Sequence, residues 1–258
     1  MKKIDRWNTA IFQASPIIQQ LYSVTGFFSN SSSWPTISEY RDIFNKCHVD
    51  ITPVPQSHTI TQFEEQYEPR VYLKKELQTR THNWHDFFNA MVWLSFPGTK
   101  STLNQLHYQQ AVTRPKGSNR TALENRITQF DECGAILISN NEALLELIKN
   151  HQWEAFFIDN KELLRENFRC VVFGHAIFEK ALNPYPGMTC HCISLYDNEL
   201  LLHAKNHQYE LLDQRVADIW QNTANKQLLK LKPFPILGMP GYWPVQDADF
   251  YQNKSYFR

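Results

Sequence analysis

Hydrophobic positions are concentrated in a few runs along the chain, and their spacing predicts the main helices and strands. Residues 84–96 are almost continuously apolar over more than ten positions, which indicates a buried helix. The pair at 97–98, Pro-Gly, ends that run, and a second helix is predicted over about 101–112. The short apolar run at 134–139 is typical of a buried strand, and the pattern at 141–150 predicts an amphipathic helix after it.

Shorter patterns indicate further strands and helices. Residues 59–63 and 70–73 flank a polar stretch and predict a β-hairpin. The run at 169–174 fits either a strand or the start of the helix that carries His175. We expect a strand at 189–196 and mostly helix over 209–231.

The segments differ in composition along the chain. Residues 1–56 are rich in loop-forming residues, with helical stretches near 7–22 and 37–44, and we expect them to pack on the core. Residues 57–258 are predicted to form one domain. A proline-rich tail from Pro233 is expected to be long and extended. The predicted fold class is therefore α+β, a single mixed domain that is helix-rich with a small sheet.

The first predicted helix carries an unusual polar arc. At about 100° per residue, His85, Asp86 and Asn89 lie on one side of the helix, and His82 precedes it on the same side. The arc fits the solvent face of an amphipathic helix. It fits a functional site equally well, because His, Asp and Asn make short, directed hydrogen bonds or bind metals, whereas solvent faces are usually rich in Lys and Glu.

The second predicted helix repeats this polar pattern. Lys100, Asn104 and His107 lie within a narrow stripe beside an apolar flank. The Pro-Gly break allows the two helices to fold as an αα-hairpin. The two polar stripes would then share one cleft.

Two later motifs carry acids and a histidine. Asp131 and Glu132 precede the predicted strand, where they form either an ordinary acidic turn or a carboxylate pair for a site. His175 and Glu179 are four residues apart and so share one face if the segment is helical. That spacing suits a surface pair, a metal pair or a general base oriented by a glutamate.

Basic residues are concentrated between the second helix and Arg126. The stretch 100–126 contains a single acidic residue, Glu124. Its five basic residues are Lys100, Arg114, Lys116, Arg120 and Arg126. Such a loop is typical either of a solvated surface or of phosphate or carboxylate recognition.

Composition narrows the classes of function. The chain has 258 residues, equal numbers of acidic and basic side chains and 42% hydrophobic residues, so it can bury a sizeable core. Zero net charge argues against binding to nucleic acid by bulk electrostatics. The sequence predicts neither a transmembrane helix nor a signal peptide, and five scattered cysteines predict a reduced, cytoplasmic protein.

Several blocks resemble a known family. The stretch 79–107, with Trp84-His85-Asp86 and Lys100…His107, resembles the signature of the bacterial domain of unknown function 3025 family. Phe130-Asp131-Glu132, Gly174-His175 and the 235–243 block are similar to its later motifs. The resemblance implies kinship without an assigned reaction. The chain departs from the pattern at 124–125, which is Glu-Asn instead of Arg-Asp, and at 252–253, where acidic residues are expected.

These observations lead to a hypothesis of an enzyme, a hydrolase or transferase acting on a phosphate- or carboxylate-bearing substrate. The candidate catalytic residues are His85, Asp86, His107, Asp131, Glu132, His175 and Glu179. The candidate substrate-binding residues are Arg80, Asn89, Lys100, Asn104, Arg114 and Arg120. A divalent metal is a candidate cofactor, and a small anion is the candidate ligand. The alternative is a non-catalytic binding or scaffold protein whose polar residues form a buried structural network.

Overall fold

The computed structural model describes residues 6–56, 62–115, 117–223 and 229–258. The fold is mixed α+β, as the sequence predicts. The helices, numbered in chain order, are α1 (Ile11–Ala14), α2 (Pro16–Gln19), α3 (Tyr22–Thr25), α4 (Ile37–Lys46), α5 (Tyr67–Lys74), α6 (Trp84–Ser95), α7 (Pro97–Thr113), α8 (Ala122–Cys133), α9 (Glu142–Lys149), α10 (Lys161–Asn167), α11 (His175–Lys180), α12 (Asn198–Lys205), α13 (Glu210–Thr223) and α14 (Ala248–Tyr251). The strands are β1 (Thr52–Pro55), β2 (Glu76–Thr79), β3 (Gly134–Ser139), β4 (Phe168–Val172), β5 (Thr189–Tyr196) and β6 (Lys232–Pro235). Among the described residues no helix is both long and apolar enough to cross a bilayer.

The chain divides into two compact units. The first comprises Met1–Phe12, Leu21–Thr128 and Asp213–Leu229. The second comprises Gln13–Gln20, Gln129–Leu212 and Lys230–Arg258. The predicted division of the chain at residues 56 and 57 stays a prediction.

The first unit is built around α6. Its apolar run is buried on nearly every side, and Phe87, Phe88 and Met91 are fully enclosed. Asn83 caps the helix, since its side-chain oxygen accepts a hydrogen bond of 2.9 Å from the Asp86 backbone N–H. The prediction of a buried helix here is confirmed.

The second helix of the pair begins earlier than predicted. The sequence placed its start near Ser101, but α7 begins at Pro97, because proline is well tolerated in the first turn of a helix. The Asp213 carboxylate, from α13, accepts hydrogen bonds from the backbone N–H groups of Gly98 (2.8 Å) and Thr99 (2.7 Å). This buried carboxylate satisfies donors that the first turn leaves without intrahelical partners.

A two-stranded parallel sheet, absent from the sequence prediction, belongs to the first unit. Strand β1 pairs with β2, with Thr52 opposite Glu76. The sequence of β1 resembles that of a loop because it contains Pro53 and Pro55, and proline has no backbone N–H to donate to a neighbouring strand. In a two-stranded sheet one side of each strand needs no partner, so these prolines are accommodated.

The predicted β-hairpin over 59–63 and 70–73 is wrong in its second half. Residues 70–73 lie within α5, whose first turn begins at Tyr67. Residues 59–61 lie outside the described part of the chain, as do Lys116 and residues 224–228 of the predicted helix over 209–231.

The second unit contains a four-stranded sheet in the order β4-β3-β5-β6. Strand β3 is parallel to β5 and antiparallel to β4, and all six of its residues are buried. A continuous apolar run with no polar alternation is typical of a strand covered on both faces. After β6 the chain forms a 3₁₀ turn (Ile236–Gly238) and α14, and the predicted long extended tail is not seen.

Candidate functional site

His175 lies at the junction between β4 and α11 in the second unit. The Gly134 carbonyl oxygen ties this junction to β3. It accepts hydrogen bonds from the backbone N–H groups of Phe173 (3.0 Å) and Gly174 (2.8 Å). The start of α11 is thereby tied to the start of β3, directly after the end of α8.

Two glycines allow the backbones to come this close. A Cβ atom at Gly174 would lie 2.5 Å from the Glu132 carbonyl oxygen and 2.6 Å from Cys133 Cα. A Cβ atom at Gly134 would lie 2.3 Å from the Phe130 carbonyl oxygen. Because any larger residue would push these segments apart, the glycines place the last turn of α8 against the first turn of α11.

This packing surrounds the imidazole of His175 with two carboxylates. Its Nδ1 lies 3.8 Å from Asp131 Oδ2, and its Nε2 lies 3.7 Å from Glu132 Oε2. His175 is only 4% exposed, whereas the Glu132 side chain is 40% exposed. Both separations exceed a direct hydrogen bond, which needs about 2.7–3.2 Å. The arrangement therefore places one buried imidazole between two acidic side chains.

Further polar residues lie on the elements that carry His175, Asp131 and Glu132, or on the adjacent strand β5. Glu179 is on α11, four residues after His175, as its spacing predicts. The Lys180 ammonium is 3.5 Å from the Cys133 sulfur. On β5, the His191 Nε2 atom lies 3.1 Å from the Gln129 side-chain nitrogen.

In the first unit, α6 and α7 bring part of their polar stripes together. The Asn89 side-chain oxygen accepts a hydrogen bond of 2.9 Å from Lys100 Nζ, and its amide donates to the Tyr67 hydroxyl at 2.8 Å. Lys100 is only 3% exposed, and its Nζ lies 5.3 Å from the centre of the Trp93 ring. The ammonium is therefore held by a directed hydrogen bond and an aromatic face.

The stripe on α7 continues with Asn104 and His107, which are both buried. The Asn104 amide donates to the Glu68 carboxylate at 2.6 Å and to the Glu68 carbonyl oxygen at 3.0 Å. Burial acts to raise the pKa of Glu124, but the Thr121 backbone N–H, Arg114 and His107 together lower it. These residues form an enclosed polar cluster between α5, α7 and the start of α8.

Asp86 and Arg80 pair with each other at the start of α6. The guanidinium donates two hydrogen bonds, from Nε to Oδ2 (2.9 Å) and from Nη2 to Oδ1 (2.7 Å). The Arg80 backbone N–H donates a third at 2.7 Å. This bidentate pair fixes the loop before α6. His85, half-buried, lies in the same first turn.

The basic loop is partly neutralised within the first unit. The Arg114 Nη1 atom donates to Glu124 Oε1 at 2.5 Å, and the Glu124 side chain is fully buried. Glu124 also accepts a hydrogen bond of 2.7 Å from the Thr121 backbone N–H. The Arg120 guanidinium donates to Thr128 Oγ1 at 3.3 Å. Arg114 and Arg120 thus have partners within the protein, and their predicted role in holding an anion stays a prediction.

The predicted site residues fall into two groups. Arg80, His85, Asp86, Asn89, Lys100, Asn104, His107, Arg114 and Arg120 belong to the first unit. Asp131, Glu132, His175 and Glu179 belong to the second. The hypothesis that all of them serve one cleft stays a prediction.

Two contributors, Tyr67 and Glu68, were missed by the sequence analysis. They lie in the first turn of α5, which the hairpin prediction assigned to a polar turn. The run from Tyr67 to Lys74 has apolar residues at 67, 71 and 72, a helical spacing that could have identified this helix.

Asn89→Ala tests whether the polar cluster of the first unit supports the fold. We expect the free energy of unfolding to fall by about 1–3 kcal/mol, because the Tyr67 hydroxyl and the Lys100 ammonium each lose a buried partner. Urea denaturation measures the change. Asn125→Ala, at an exposed position of α8, is the control and should stay within about 0.5 kcal/mol of the parent. Equal stabilities of the two variants would contradict a structural role for Asn89.

Comparison with known proteins identifies a family. No curated protein and no solved structure matches the chain. Residues 51–258 match the family described as "Protein of unknown function (DUF3025)", and this range includes both polar groups. Since most of its length matches, the chain belongs to the DUF3025 family.

Proposed function

We propose that this protein is an enzyme, a hydrolase or transferase that acts on a phosphate- or carboxylate-bearing substrate. The observation that carries the proposal is the buried imidazole of His175 between the carboxylates of Asp131 and Glu132. At 3.7 and 3.8 Å the two carboxylates lie beside the ring nitrogens but beyond direct hydrogen-bond distance from them. Such separations are typical of sites that tighten when a ligand binds.

In the proposed reaction the site removes a proton from an attacking water or hydroxyl group. It does so either directly at a ring nitrogen or through a cation bound there. In this proposal Asp131, now 3.8 Å from Nδ1, moves to hydrogen-bond distance and orients the ring when substrate binds, and substrate approaches from the side of Glu132, whose side chain is 40% exposed. We further propose that the protein is bacterial, as the family resemblance implies, and that it is cytoplasmic, since its five cysteines are free thiols, the state kept by a reducing compartment.

The test is a screen of the full chain against phosphate mono- and diesters, carboxylic esters and thioesters, followed by His175→Asn. We expect His175→Asn to lower kcat/KM by about 100-fold or more, the usual contribution of a catalytic acid–base group. Glu162→Gln, on an exposed ion pair of α10, is the control and should keep full activity. Turnover that is unchanged in His175→Asn would contradict the proposed site.

The second candidate function is a binding or scaffold protein without turnover. The polar cluster of the first unit favours it, because Asn89, Asn104 and Glu124 all have hydrogen-bond partners within that unit. A structural role predicts that His175→Asn lowers the free energy of unfolding by more than about 2 kcal/mol. A catalytic role predicts that the free energy of unfolding changes by about 0.5 kcal/mol or less, because active-site side chains often contribute little to the stability of the fold. Denaturant unfolding of the same variant therefore separates the two functions.

A further inference from the structure

A pocket of about 370 Å³ lies in the second unit, between the turn that follows α9 and the segment 251–257. Three aromatic rings and three charged side chains contribute to its lining, those of Trp153, Tyr251, Phe257, Glu154, Asp159 and Lys254. We infer that this pocket binds a free aromatic amino acid. His175, Asp131 and Glu132 do not line it, so the inference does not depend on the reaction proposed above.

The volume of the pocket limits the size of its ligand. Small-molecule sites typically enclose about 300–1,000 Å³, and this pocket is near the lower end of that range. Each water molecule in the liquid occupies about 30 Å³, so the pocket has the volume of about twelve waters. That is room for one ring with a short polar chain.

The three aromatic rings are held on a common base, the buried side chain of Phe157. The centre of the Phe157 ring lies 6.0 Å from that of Trp153 and 5.9 Å from those of Tyr251 and Phe257. The Trp153 indole N–H and the Tyr251 hydroxyl each donate to a backbone carbonyl oxygen, at 2.6 and 3.0 Å. Since these polar atoms already have partners, the rings offer mainly carbon surface, which favours an aromatic group on the ligand.

A π-turn determines where the two carboxylates lie. The segment Ala155–Asp159 is a single π-helical turn, in which the Asn160 backbone N–H donates to the Ala155 carbonyl oxygen at 3.2 Å. In an α-helix, residues five apart point about 140° away from each other. The i to i+5 hydrogen bond of a π-turn brings such residues to the same side, and Glu154 and Asp159 both line the pocket. Turns of this kind are frequent at functional sites.

Lys254 brings the opposite charge from the segment after α14. Within the described part of the chain it forms no ion pair with Glu154 or Asp159, although all three line one pocket. A ligand that carries both charges can bridge these separated groups. The ammonium group of an amino acid pairs with the two carboxylates, its carboxylate pairs with Lys254, and its ring packs against the aromatic lining.

The experiment is a calorimetric titration of the full chain with L-phenylalanine. We expect one molecule to bind per chain with a Kd of about 1 mM or lower. Three analogues each lack one feature: phenethylamine has no carboxylate, phenylpropionate has no ammonium, and glycine has no ring. Each should bind at least about tenfold more weakly, because one set of partners in the pocket is left without its counterpart.

Variants of the charged side chains test the same pairs from the side of the protein. Lys254→Gln and the double variant Glu154→Gln/Asp159→Asn should each weaken phenylalanine binding about tenfold. Lys254→Gln should leave the affinity for phenethylamine unchanged, because that analogue has no carboxylate. All three side chains are exposed, so these variants should fold like the parent. Glu162→Gln and Lys232→Gln, at exposed positions outside the pocket, are the matched controls and should bind phenylalanine like the parent.

Fluorine NMR shows whether the ligand is in this pocket. With all seven tryptophans replaced by fluorotryptophan, the Trp153 signal is identified by its loss in Trp153→Phe, and it should shift when phenylalanine is added. No binding at about 10 mM phenylalanine would overturn the inference. Phenethylamine or phenylpropionate that binds as tightly as phenylalanine would overturn it too, as would binding that leaves the Trp153 signal in place or is unchanged in both charge variants.

Discussion

Gly174→Ala should lower the free energy of unfolding by about 3 kcal/mol or more. The added Cβ would lie 2.5 Å from both the Glu132 carbonyl oxygen and the Gly134 nitrogen, closer than nonbonded atoms can approach. All the atoms nearest to it belong to the backbone, so the strain cannot be relieved by turning a flexible side chain. The backbone of Gly174 is in an ordinary extended conformation (φ −64°, ψ 114°), so the effect comes from lack of space alone.

Denaturant unfolding measures this effect, with Gly26→Ala as the control. Gly26 has a helical backbone, and a Cβ atom added there would have no neighbour within 4 Å. Alanine at this position should be neutral or stabilise the protein by up to about 1 kcal/mol, because it restricts the unfolded chain. If Gly174→Ala proves as stable as Gly26→Ala, the close contact that positions Asp131 and Glu132 beside His175 does not exist in solution.

Glu124→Ala is expected to cost about 3 kcal/mol at neutral pH. It removes a fully buried carboxylate and leaves the Arg114 guanidinium and the Thr121 backbone N–H without this acceptor. Removing one partner of a buried ion pair typically costs about 3–5 kcal/mol, and partial exposure of Arg114 favours the lower end.

The pH dependence of Glu124→Gln gives the same interaction a second test. Burial by itself raises the pKa of Glu124, but the Thr121 N–H, Arg114 and His107 outweigh it and hold that pKa below 4.5. A pKa lowered in the folded state stabilises the protein fully above about pH 4.5, and this contribution is lost as the pH falls through the folded-state pKa. The stability difference between the parent and Glu124→Gln should therefore be largest near neutral pH and shrink towards pH 3.

Unfolding in urea at a series of pH values measures that difference. Glu162→Gln serves as the control, because its carboxylate lies on an exposed i,i+3 pair of α10, and it should match the parent within about 0.5 kcal/mol throughout. A Glu124→Gln difference that is constant from pH 7 to pH 3 would contradict the ionised, buried state of this carboxylate.

Local patterns in the sequence were sufficient for several elements. Helix α6 and strand β3 follow from long apolar runs, since a segment with no polar face must be covered on all sides wherever it lies in the fold. Asn141 was predicted to open the helix after β3, and its side-chain oxygen caps α9 by accepting a hydrogen bond from the Leu144 backbone N–H. Such features depend on neighbours in the chain, and the sequence contains them.

Other elements depended on partners distant in the chain. The prolines of β1 suggested a loop, and only pairing with β2 makes that segment a strand. Residues 70–73 include Val71 and Tyr72, which favour strands, yet they form part of α5, where Arg70 bonds to Glu65 and Glu76. The conformational preference of a short segment is weak, so tertiary contacts in the folded protein decide whether it is a helix or a strand.

The sequence by itself determined which polar residues were candidates, because His, Asp and Asn in apolar surroundings stand out without any coordinates. It also determined that His175 and Glu179 share a helical face. Only the tertiary structure decided that Asp131 and Glu132 flank the His175 ring, since this requires the backbone contact at Gly174 between segments about forty residues apart. It also decided that Asp86 and Glu124 pair with arginines. The spacing of residues along the chain shows which side chains share one face of a helix, whereas the distances between separate segments are set only by how they pack.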